Sequence, residues 1–583
     1  MPTLDPAQRS IQSVYNWHSQ GELFVNRRYQ RKLVWTHLEK QKLIESIRNQ
    51  YPIPAILLVE RDEGGFEIID GLQRLSTIIT YIENGFAGLD DRYFDTRHFT
   101  GAQFRVDEGY FNVAEGEKLS QKEVSDFLDY VLPITVMREA TYEDIDDVFQ
   151  RINSYGHRLS DQERRQSGVQ NDFADAVREL ATKMRGDVSS DVLPLSDMPS
   201  ISIDLPMTKH GYLVQAEDVF WVSHGILRST DLRDSMDEQY IADIAASVVT
   251  GSIIERSKSA LDQIYDVDSP EGTRVLSALQ LYGAEKFADE FKFCVDEIEK
   301  ICATGGQSKL RSLLFTSPST NAFPSVFAFL FFALHELLVR EDHVIADYQG
   351  LKESLSGMAV HVSGKATTVE KRRKNVNLIK GLIAPHVVPG KATNIYGSQA
   401  LADIDGLIQR SQIELPRYEL KQGLLTLAPQ GRGIDEGMLP KLVRTICAIA
   451  NNGPTSGALL IGVTDNESDA QRVKELDGVE PRKVGRKFVV GLEREAAYLG
   501  ECMEDYFGRI KDAIRNSEMS PGLRSDVLSA IDFHNYFDLG VVVVTIPPQG
   551  GPSSVAGEYF LRQGDETVKA TWEDIVSITR RFV

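Results

Sequence analysis

The most constraining feature of this chain is residues 66–74, which read as a strand turning sharply into a helix. The first four of these residues are mostly apolar, Gly71 permits a tight turn, and apolar residues then recur at helical spacing. The turn gathers Asp70, Gln73 and Arg74 at the start of the predicted helix. A helix N-terminus favours a bound anion, so these residues predict a phosphate-binding corner. A capped helix with a surface arginine is the alternative.

A segment rich in cations and aromatics precedes this corner at residues 26–35. A capping box formed by Thr36 and Glu39 then predicts a helix, and residues 55–59 predict a buried strand. The basic segment and the corner thus lie within one compact unit. A run of Arg and Lys is usually a solvated face, but interleaved Gln and aromatic residues suit a phosphate or a base better.

A third polar cluster occupies residues 148–160. The pattern predicts a helix that stops at Gly156, followed by a helix capped by Ser160. Arg151 and Asn153 lie near the end of the first helix, where polar side chains can converge on a ligand. An ordinary helix hairpin is the alternative.

Taken together, the three clusters resemble the GmrS-type, DGQQR-motif family of ParB/sulfiredoxin-like domains, found in modification-dependent restriction and phage-defence proteins. The matching segments are residues 28–31 with Trp35, residues 70–74 and residues 149–160, in the family's order. The resemblance implies nucleotide binding or hydrolysis and the sensing of modified DNA.

The resemblance also implies which residues line the site. The implied nucleotide- or DNA-binding residues are Arg28, Gln30, Arg31, Asp70, Gly71, Gln73, Arg74, Arg151 and Asn153. Asp70, Gln73 and Arg74 are also the implied catalytic residues for hydrolysis of a nucleoside triphosphate. Leu72 stands where the family usually has Gln, which removes one donor and one acceptor and favours binding over hydrolysis.

Carboxylates in the last third of the chain predict a second site. Residues 458–463 form a near-continuous apolar strand that delivers Asp465 at its carboxyl end. Glu419 and Lys421 lie two apart and share a strand face, while Glu414 precedes a proline that can bend the strand. Glu414, Glu419 and Asp465 are candidate ligands for Mg²⁺ or Mn²⁺, with Lys421 at the scissile phosphate. Unrelated surface charges are the alternative.

This region resembles the Schlafen AlbA-type domain. The matching elements are residues 419–421, 448–451, 459–465 and 559–567, in the family's order. Most bacterial relatives are described as nucleotide-binding-like or regulatory, whereas animal Schlafen proteins cleave structured RNA with two Glu, a Lys and a distant Asp. The resemblance implies that the nuclease residues are Glu414, Glu419, Lys421 and Asp465. A longer turn at residues 453–457 departs from the family pattern.

Length and composition set the domain organisation. A chain of 583 residues exceeds what one hydrophobic core usually holds, so about three domains are expected. We predict an α+β multidomain protein with a ParB/sulfiredoxin-like domain at residues 1–170, a mainly helical domain at 171–405 and a Schlafen-like α/β domain at 406–583. The helical region has no recognisable nucleotide loop and no HExxH pair.

Charge and hydropathy limit which binding partners and which cellular compartment we expect for this protein. A net charge of -21 weighs against nucleic-acid binding over the whole surface but allows a local basic channel. The most apolar stretch, residues 323–339, contains His335 and Glu336 and predicts a buried helix rather than a membrane span. The start of the chain has no signal-sequence pattern, and the four cysteines form no CxxC pair, so we expect a cytoplasmic protein without a membrane partner.

These patterns predict an antiphage defence protein. Its N-terminal domain would sense a nucleotide or modified phage DNA and control a C-terminal nuclease that uses Mg²⁺ or Mn²⁺ to cleave DNA or tRNA-like RNA. The alternative is a nucleotide-responsive adaptor without nuclease activity, whose Schlafen-like domain binds a partner. A homo-oligomer is one arrangement that the sequence allows.

Overall fold

The computed structural model describes most of the chain, in two compact units, Met1–Ala402 and Asp403–Val583. The described residues are 2–27, 32–107, 110–155, 160–166, 171–187, 192–198, 201–202, 214–317, 320–392, 395, 401–411, 415–428, 430–453, 455–537, 539–564 and 566–582. Both units contain helices and strands, which confirms the predicted α+β multidomain class. The division into three domains stays a prediction.

A six-stranded mixed sheet forms the N-terminal part of the first unit. Its strands are β1 (Thr3–Ser10), β2 (Leu23–Asn26), β3 (Ile56–Glu60), β4 (Phe66–Asp70), β5 (Val131–Arg138) and β6 (Val192–Pro194). Their order in the sheet is β1-β5-β3-β4-β2-β6. The pairs β2–β4 and β3–β5 are parallel, and the other neighbours are antiparallel. The sheet places the end of β4 near its middle.

Seven α-helices of the described residues accompany this sheet. They are α1 (Ile11–Ser19), α2 (His37–Arg48), α3 (Leu72–Ile82), α4 (Thr100–Asp107), α5 (Gln121–Leu128), α6 (Tyr142–Tyr155) and α7 (Asp161–Gln166). The predicted capping box of α2 is present, with Thr36 and Glu39 bonding each other's backbone N–H groups. The predicted cap of α7 is present too, since Ser160 Oγ accepts from Glu163 N and the Glu163 carboxylate accepts from Ser160 N.

The rest of the first unit is mainly helical. Its helices are α8 (Asp172–Arg185), α9 (Phe220–Ser223), α10 (Ser229–Arg233), α11 (Met236–Val249), α12 (Lys258–Tyr265), α13 (Pro270–Tyr282), α14 (Ala284–Ala303), α15 (Leu310–Leu314), α16 (Pro324–His335), α17 (Tyr348–Leu355) and α18 (Val369–Ile383). Short strands β7 (Ile201–Ser202), β8 (Val214–Gln215), β9 (His343–Ile345) and β10 (Val387–Pro389) form two pairs.

Helix α16 is the apolar stretch that the sequence predicts to be buried. Every one of its residues is buried, and a π-helical turn continues it over Glu336–Arg340. His335 at its end pairs with Glu290 at 2.9 Å, so the polar interruption of the stretch is satisfied inside the protein. None of the helices in the described part of the chain has the length and apolar composition that a membrane crossing requires.

The second unit is an α/β arrangement with two sheets and a hairpin. The four-stranded sheet has the order β11-β12-β17-β16, the three-stranded sheet has the order β13-β15-β14, and β18 pairs with β19. The strands are β11 (Tyr418–Lys421), β12 (Gly457–Ile461), β13 (Val463–Thr464), β14 (Arg482–Val484), β15 (Lys487–Val489), β16 (Ile531–Tyr536), β17 (Leu539–Ile546), β18 (Phe560–Gln563) and β19 (Glu566–Lys569). The helices are α19 (Leu401–Arg410), α20 (Met438–Ala450), α21 (Glu467–Asp477), α22 (Glu493–Leu499), α23 (Met503–Arg515), α24 (Pro521–Ser529) and α25 (Trp572–Arg580).

Gly462 divides the apolar strand predicted at residues 458–463. Its φ is +102°, and a Cβ there would lie 2.7 Å from the Gly540 carbonyl oxygen. The chain therefore leaves the four-stranded sheet after Ile461 and enters the three-stranded sheet at Val463. Periodicity alone does not show this break, because the side chains on both sides of the glycine are apolar and buried.

Candidate nucleotide and nucleic-acid sites

The corner at residues 66–74 has the predicted strand–turn–helix form. Strand β4 ends at Asp70, Gly71 turns the chain with a φ of +100°, and α3 begins at Leu72. A Cβ on Gly71 would lie only 2.9 Å from Ile56 Cγ1, so the backbone approaches β3 more closely than other residues permit. Among the residues that the structure describes, no side chain caps α3, which leaves first-turn N–H groups for water or an anion.

Asp70 and Arg74 are paired at this corner. Arg74 Nη2 lies 2.9 Å from Asp70 Oδ2 and donates to the Ala55 carbonyl oxygen at 3.1 Å. The Asp70 side chain is 42% exposed, whereas that of Arg74 is 15% exposed. Arg74 thus ties α3 to the chain before β3, and Asp70 is the member of the pair that a ligand can reach.

The side chain of Gln73 forms its hydrogen bonds with backbone groups of the basic segment. Its Oε1 accepts from the N–H groups of Val34 and Trp35, both at 3.3 Å, and its Nε2 donates to the Lys32 carbonyl oxygen at 2.6 Å. The side chain therefore holds the end of the basic segment against α3. Leu72 is buried and provides no polar group at the corner. Gln73 acts here as a positioning residue.

The other predicted residues of the first site divide into two groups. Arg28, Gln30 and Arg31 lie outside the described residues, as does the side chain of Asn153. Arg151 is described, is 73% exposed and pairs with Asp147 at 2.9 Å one turn back on α6. Its helix lies beside the corner, because buried residues of α6 pack in one cluster with residues of β3, β4 and β5.

A buried ionic network that the sequence patterns do not predict lies beside the basic segment. Lys32 Nζ lies 3.2 Å from Glu238 Oε1 and 3.8 Å from Asp237 Oδ1, and Arg27 Nη2 lies 2.5 Å from Asp187 Oδ2. All five of these side chains are at least nine-tenths buried. The residues on either side of positions 28–31 are therefore anchored in the protein interior.

Arg185 connects the carboxylates of this network. It pairs with Asp237, with Glu238 at 3.0 Å and with Asp187 at 3.7 Å. Burial acts to raise the pKa of Glu238, but the charges of Lys32 and Arg185 outweigh burial and hold that pKa at about 2. The only sequence signal was the presence of cations on both sides of residues 28–31, and nothing local indicated their partners.

Glu419 and Lys421 lie together on β11, as the sequence predicts. Lys421 Nζ contacts Glu419 Oε1, and Arg562 Nη2 lies 2.8 Å from Glu419 Oε2. Arg562 comes from β18 and also donates to Thr567 Oγ1 at 3.0 Å. Each oxygen of the Glu419 carboxylate thus has a cationic partner, and the sequence pattern does not indicate Arg562 as one of them.

Among the described residues, Asp465 forms no ion pair with Lys421 or Arg562. It follows β13, its side chain is 64% exposed, and its nearest cation is Lys487 at 3.7 Å. Glu414 lies outside the described residues, and the described part of the chain contains no group of three His, Cys, Asp or Glu side chains that could hold a metal. The described residues alone do not fit the predicted Mg²⁺ or Mn²⁺ site, because Glu419 already has two cations and Asp465 contacts neither.

Asn451 has a structural role in the second unit. Its amide donates to the carbonyl oxygens of Ser553 and Phe560 at 2.9 and 2.8 Å, and its Oδ1 accepts from Ser553 N at 2.7 Å. The side chain is fully buried. The residue at the end of α20 therefore holds the segment that leads into β18, the strand that carries Arg562.

The basic run at residues 371–374 on α18 is divided between the interior and the surface. Arg372 is buried and pairs with Asp243 at 2.6 Å, and Arg373 pairs with Glu336. Lys371 and Lys374 are exposed. The run is therefore a helix with one buried ion pair rather than a uniform basic patch.

Residues 11–169 match the family described as "GmrSD restriction endonuclease, N-terminal domain". This match confirms the family resemblance of the three N-terminal clusters, since it contains both the corner and α6. No curated protein matches the chain. The Schlafen resemblance of the second unit stays a prediction.

Proposed function

We propose that this protein restricts foreign DNA and that its N-terminal domain binds a nucleotide or modified DNA at the corner formed by Asp70, Gly71 and Arg74. The observation that carries the proposal is the match of residues 11–169 to a restriction endonuclease family, in the domain that contains this corner. Phage defence is the corresponding biological setting, and DNA the corresponding partner.

The chemistry of the corner suits a nucleotide. The uncapped first turn of α3 offers N–H groups to a phosphate, and the exposed Asp70 carboxylate can accept from ribose hydroxyls or base amino groups. Arg28, Gln30 and Arg31 would complete the site from the basic segment. Gln73 donates to backbone, and Leu72 is apolar, so the corner favours binding over hydrolysis of a nucleoside triphosphate.

The second unit would act as the nuclease, with Mg²⁺ or Mn²⁺ held by Glu414, Glu419 and Asp465, and with Lys421 beside the scissile phosphate. Support comes from the shared strand face of Glu419 and Lys421. A divalent ion at Glu419 would have to displace Lys421 or Arg562 from one carboxylate oxygen. DNA and tRNA-like RNA are both substrates that this arrangement allows.

A second candidate function is a nucleotide-responsive adaptor without nuclease activity. The observation that favours it is that both oxygens of Glu419 already have cationic partners. In this case Glu419 is a structural carboxylate that ties β11 to β18, and the second unit binds a partner.

The N-terminal part of the proposal is tested with Arg74→Ala. The variant removes the pair with Asp70 and the bond to Ala55, and it should weaken binding of nucleotide and of phage DNA with modified bases. Arg48→Ala is the matched control, because Arg48 is an ion-paired arginine of the same domain with a similar side-chain exposure, 19% against 15% for Arg74. Equal ligand affinity in the wild type and in Arg74→Ala contradicts an anion site at this corner.

The nuclease part is tested with Glu419→Gln, which keeps the shape of the side chain and removes its charge. Wild-type protein is incubated with each nucleotide, with Mg²⁺ or Mn²⁺, and with DNA or tRNA, while nucleotide hydrolysis and strand cleavage are followed together. Loss of metal-dependent cleavage in a folded Glu419→Gln variant supports the nuclease. Nucleotide binding by wild-type protein without cleavage of any substrate supports the adaptor.

A further inference from the structure

A β-hairpin in the second unit carries a local concentration of positive charge. Strands β14 and β15 pair antiparallel, with Val484 opposite Lys487, and the two residues between them form the turn. Four of the six residues 482–487 are Arg or Lys. In a chain with a net charge of -21, such a cluster is a marked segregation of charge.

Two cations of this hairpin are available to a ligand. Lys483 and Arg486 are both exposed, and neither forms an ion pair with a residue that the structure describes. Lys487 has only a 3.7 Å contact, with Asp465. Arg482 differs from them, because its guanidinium stacks on the Phe537 ring at 3.4 Å from the centroid. Arg27, Lys32, Arg74 and Arg562, in contrast, each have a carboxylate partner within 3.2 Å. The hairpin therefore differs from these sites in presenting cations that have no close carboxylate among the described residues.

The hairpin is also firmly anchored. Val484 and Val489 are buried, and Val489 pairs with Val463 of β13. Arg482 adds the stack on Phe537. The exposed cations thus project from a rigid base, with Lys483 Nζ 6.0 Å from the centroid of the Phe488 ring, and this anchoring lowers the entropy lost when they bind a ligand.

The position of the hairpin connects it to the candidate nuclease residue Asp465. Strand β13 leads directly into Asp465, and β15 is its neighbour in the sheet. A nucleic-acid strand held by the hairpin would therefore pass beside this carboxylate.

We propose that the basic hairpin, residues 482–487, binds the phosphate backbone of the nucleic acid on which the protein acts. This inference rests on the proposed function, because it names the surface of the second unit that holds the substrate. The contacts are to phosphates, so binding through this surface is independent of base sequence and weakens steeply with salt.

The experiment measures fluorescence anisotropy of labelled duplex DNA, single-stranded DNA and an RNA hairpin with the full-length protein. EDTA is present to prevent cleavage. The test variant is Lys483→Glu/Arg486→Glu. We expect its Kd to rise at least about tenfold at low salt, and the slope of log affinity against log salt to become shallower by roughly 1.4 to 1.8, because each phosphate contact contributes about 0.7 to 0.9.

The control variant is Lys511→Glu/Arg515→Glu on α23, which changes the net charge equally at other partly exposed cations of the same unit. The inference is supported if the hairpin variant loses affinity and the control retains it. It is overturned if the two variants lose affinity equally, or if the hairpin variant binds with wild-type affinity and salt slope.

These results separate the inference from the proposed function. If the wild type and the hairpin variant bind nucleic acid equally well, the inference is overturned but the proposed function is not. If wild-type protein binds none of the three nucleic acids, the inference and the nuclease role of the second unit are both overturned. The RNA and DNA arms show which nucleic acid the surface prefers.

Discussion

Lys32 Nζ lies 3.2 Å from Glu238 Oε1, and both side chains are buried. Lys32 directly follows residues 28–31, while Glu238 lies on α11 in the mainly helical part of the same unit. The end of the basic segment is therefore held by a helix far along the chain. This contact makes the N-terminal site dependent on tertiary structure beyond the residues 11–169 that define the family match.

Removing one partner of this pair should destabilise the first unit. Lys32→Met leaves Glu238 and Asp237 with less compensation in the interior, and we expect a loss of about 3–5 kcal/mol in the free energy of unfolding. Urea unfolding measures this change. Glu60→Gln, which removes an exposed carboxylate paired with Arg138, is the control and should cost about 1 kcal/mol or less. A similar small loss for Lys32→Met contradicts the buried network.

The same network predicts a dependence of stability on acid. The pKa of Glu238 is held at about 2 in the folded protein, against an ordinary value of 4.5. As the pH falls, the Glu238 carboxylate therefore takes up a proton in the unfolded chain at a higher pH than in the folded protein. Its contribution to stability is complete above pH 4.5 and is lost as the pH falls from 4.5 towards 2. Urea midpoints measured across this range should fall less steeply in Glu238→Gln than in the wild type. Parallel curves for the two proteins would show that the Glu238 charge is not stabilised.

Gln73→Leu should weaken ligand binding without direct loss of a ligand contact. The variant removes three bonds to the backbone of residues 32–35, so the basic segment loses its connection to α3. We expect nucleotide or DNA affinity to fall about fivefold or more, equivalent to about 1 kcal/mol or more. Gln41→Leu is the control, because Gln41 also bonds backbone carbonyls but at residues 87 and 88. An equal loss of affinity in both variants would indicate general destabilisation instead.

Gly71→Ala should disturb the corner more than a comparable change elsewhere. The new Cβ would meet Ile56 at 2.9 Å in addition to the strain of a positive φ. We expect a loss of about 2–4 kcal/mol in the free energy of unfolding, from strain and overpacking together. Gly64→Ala is the matched control, since Gly64 also has a positive φ but no atom within 4 Å of the new Cβ. The difference between the two variants in thermal unfolding measures the steric part alone.

Much of the local structure could be predicted from the sequence. The turn at Gly71, the capping box of α2 and the burial of α16 all follow from residue types within one or two helical turns, because backbone propensity and capping act over short distances. The family of the N-terminal domain could be inferred in the same way, from three short clusters in a fixed order. The break at Gly462 could not, because apolar residues on both sides conceal the change of sheet.

The partners of the polar side chains were decided only by the tertiary structure. The sequence by itself determined that Asp70, Gln73 and Arg74 meet at a helix start and that Glu419 and Lys421 share a strand face. Only the fold showed that Gln73 binds the backbone near Lys32, that Lys32 reaches Glu238, and that Arg562 occupies one oxygen of Glu419. The physical reason is that burial forces each polar group to find a partner, and that partner can come from any part of the chain.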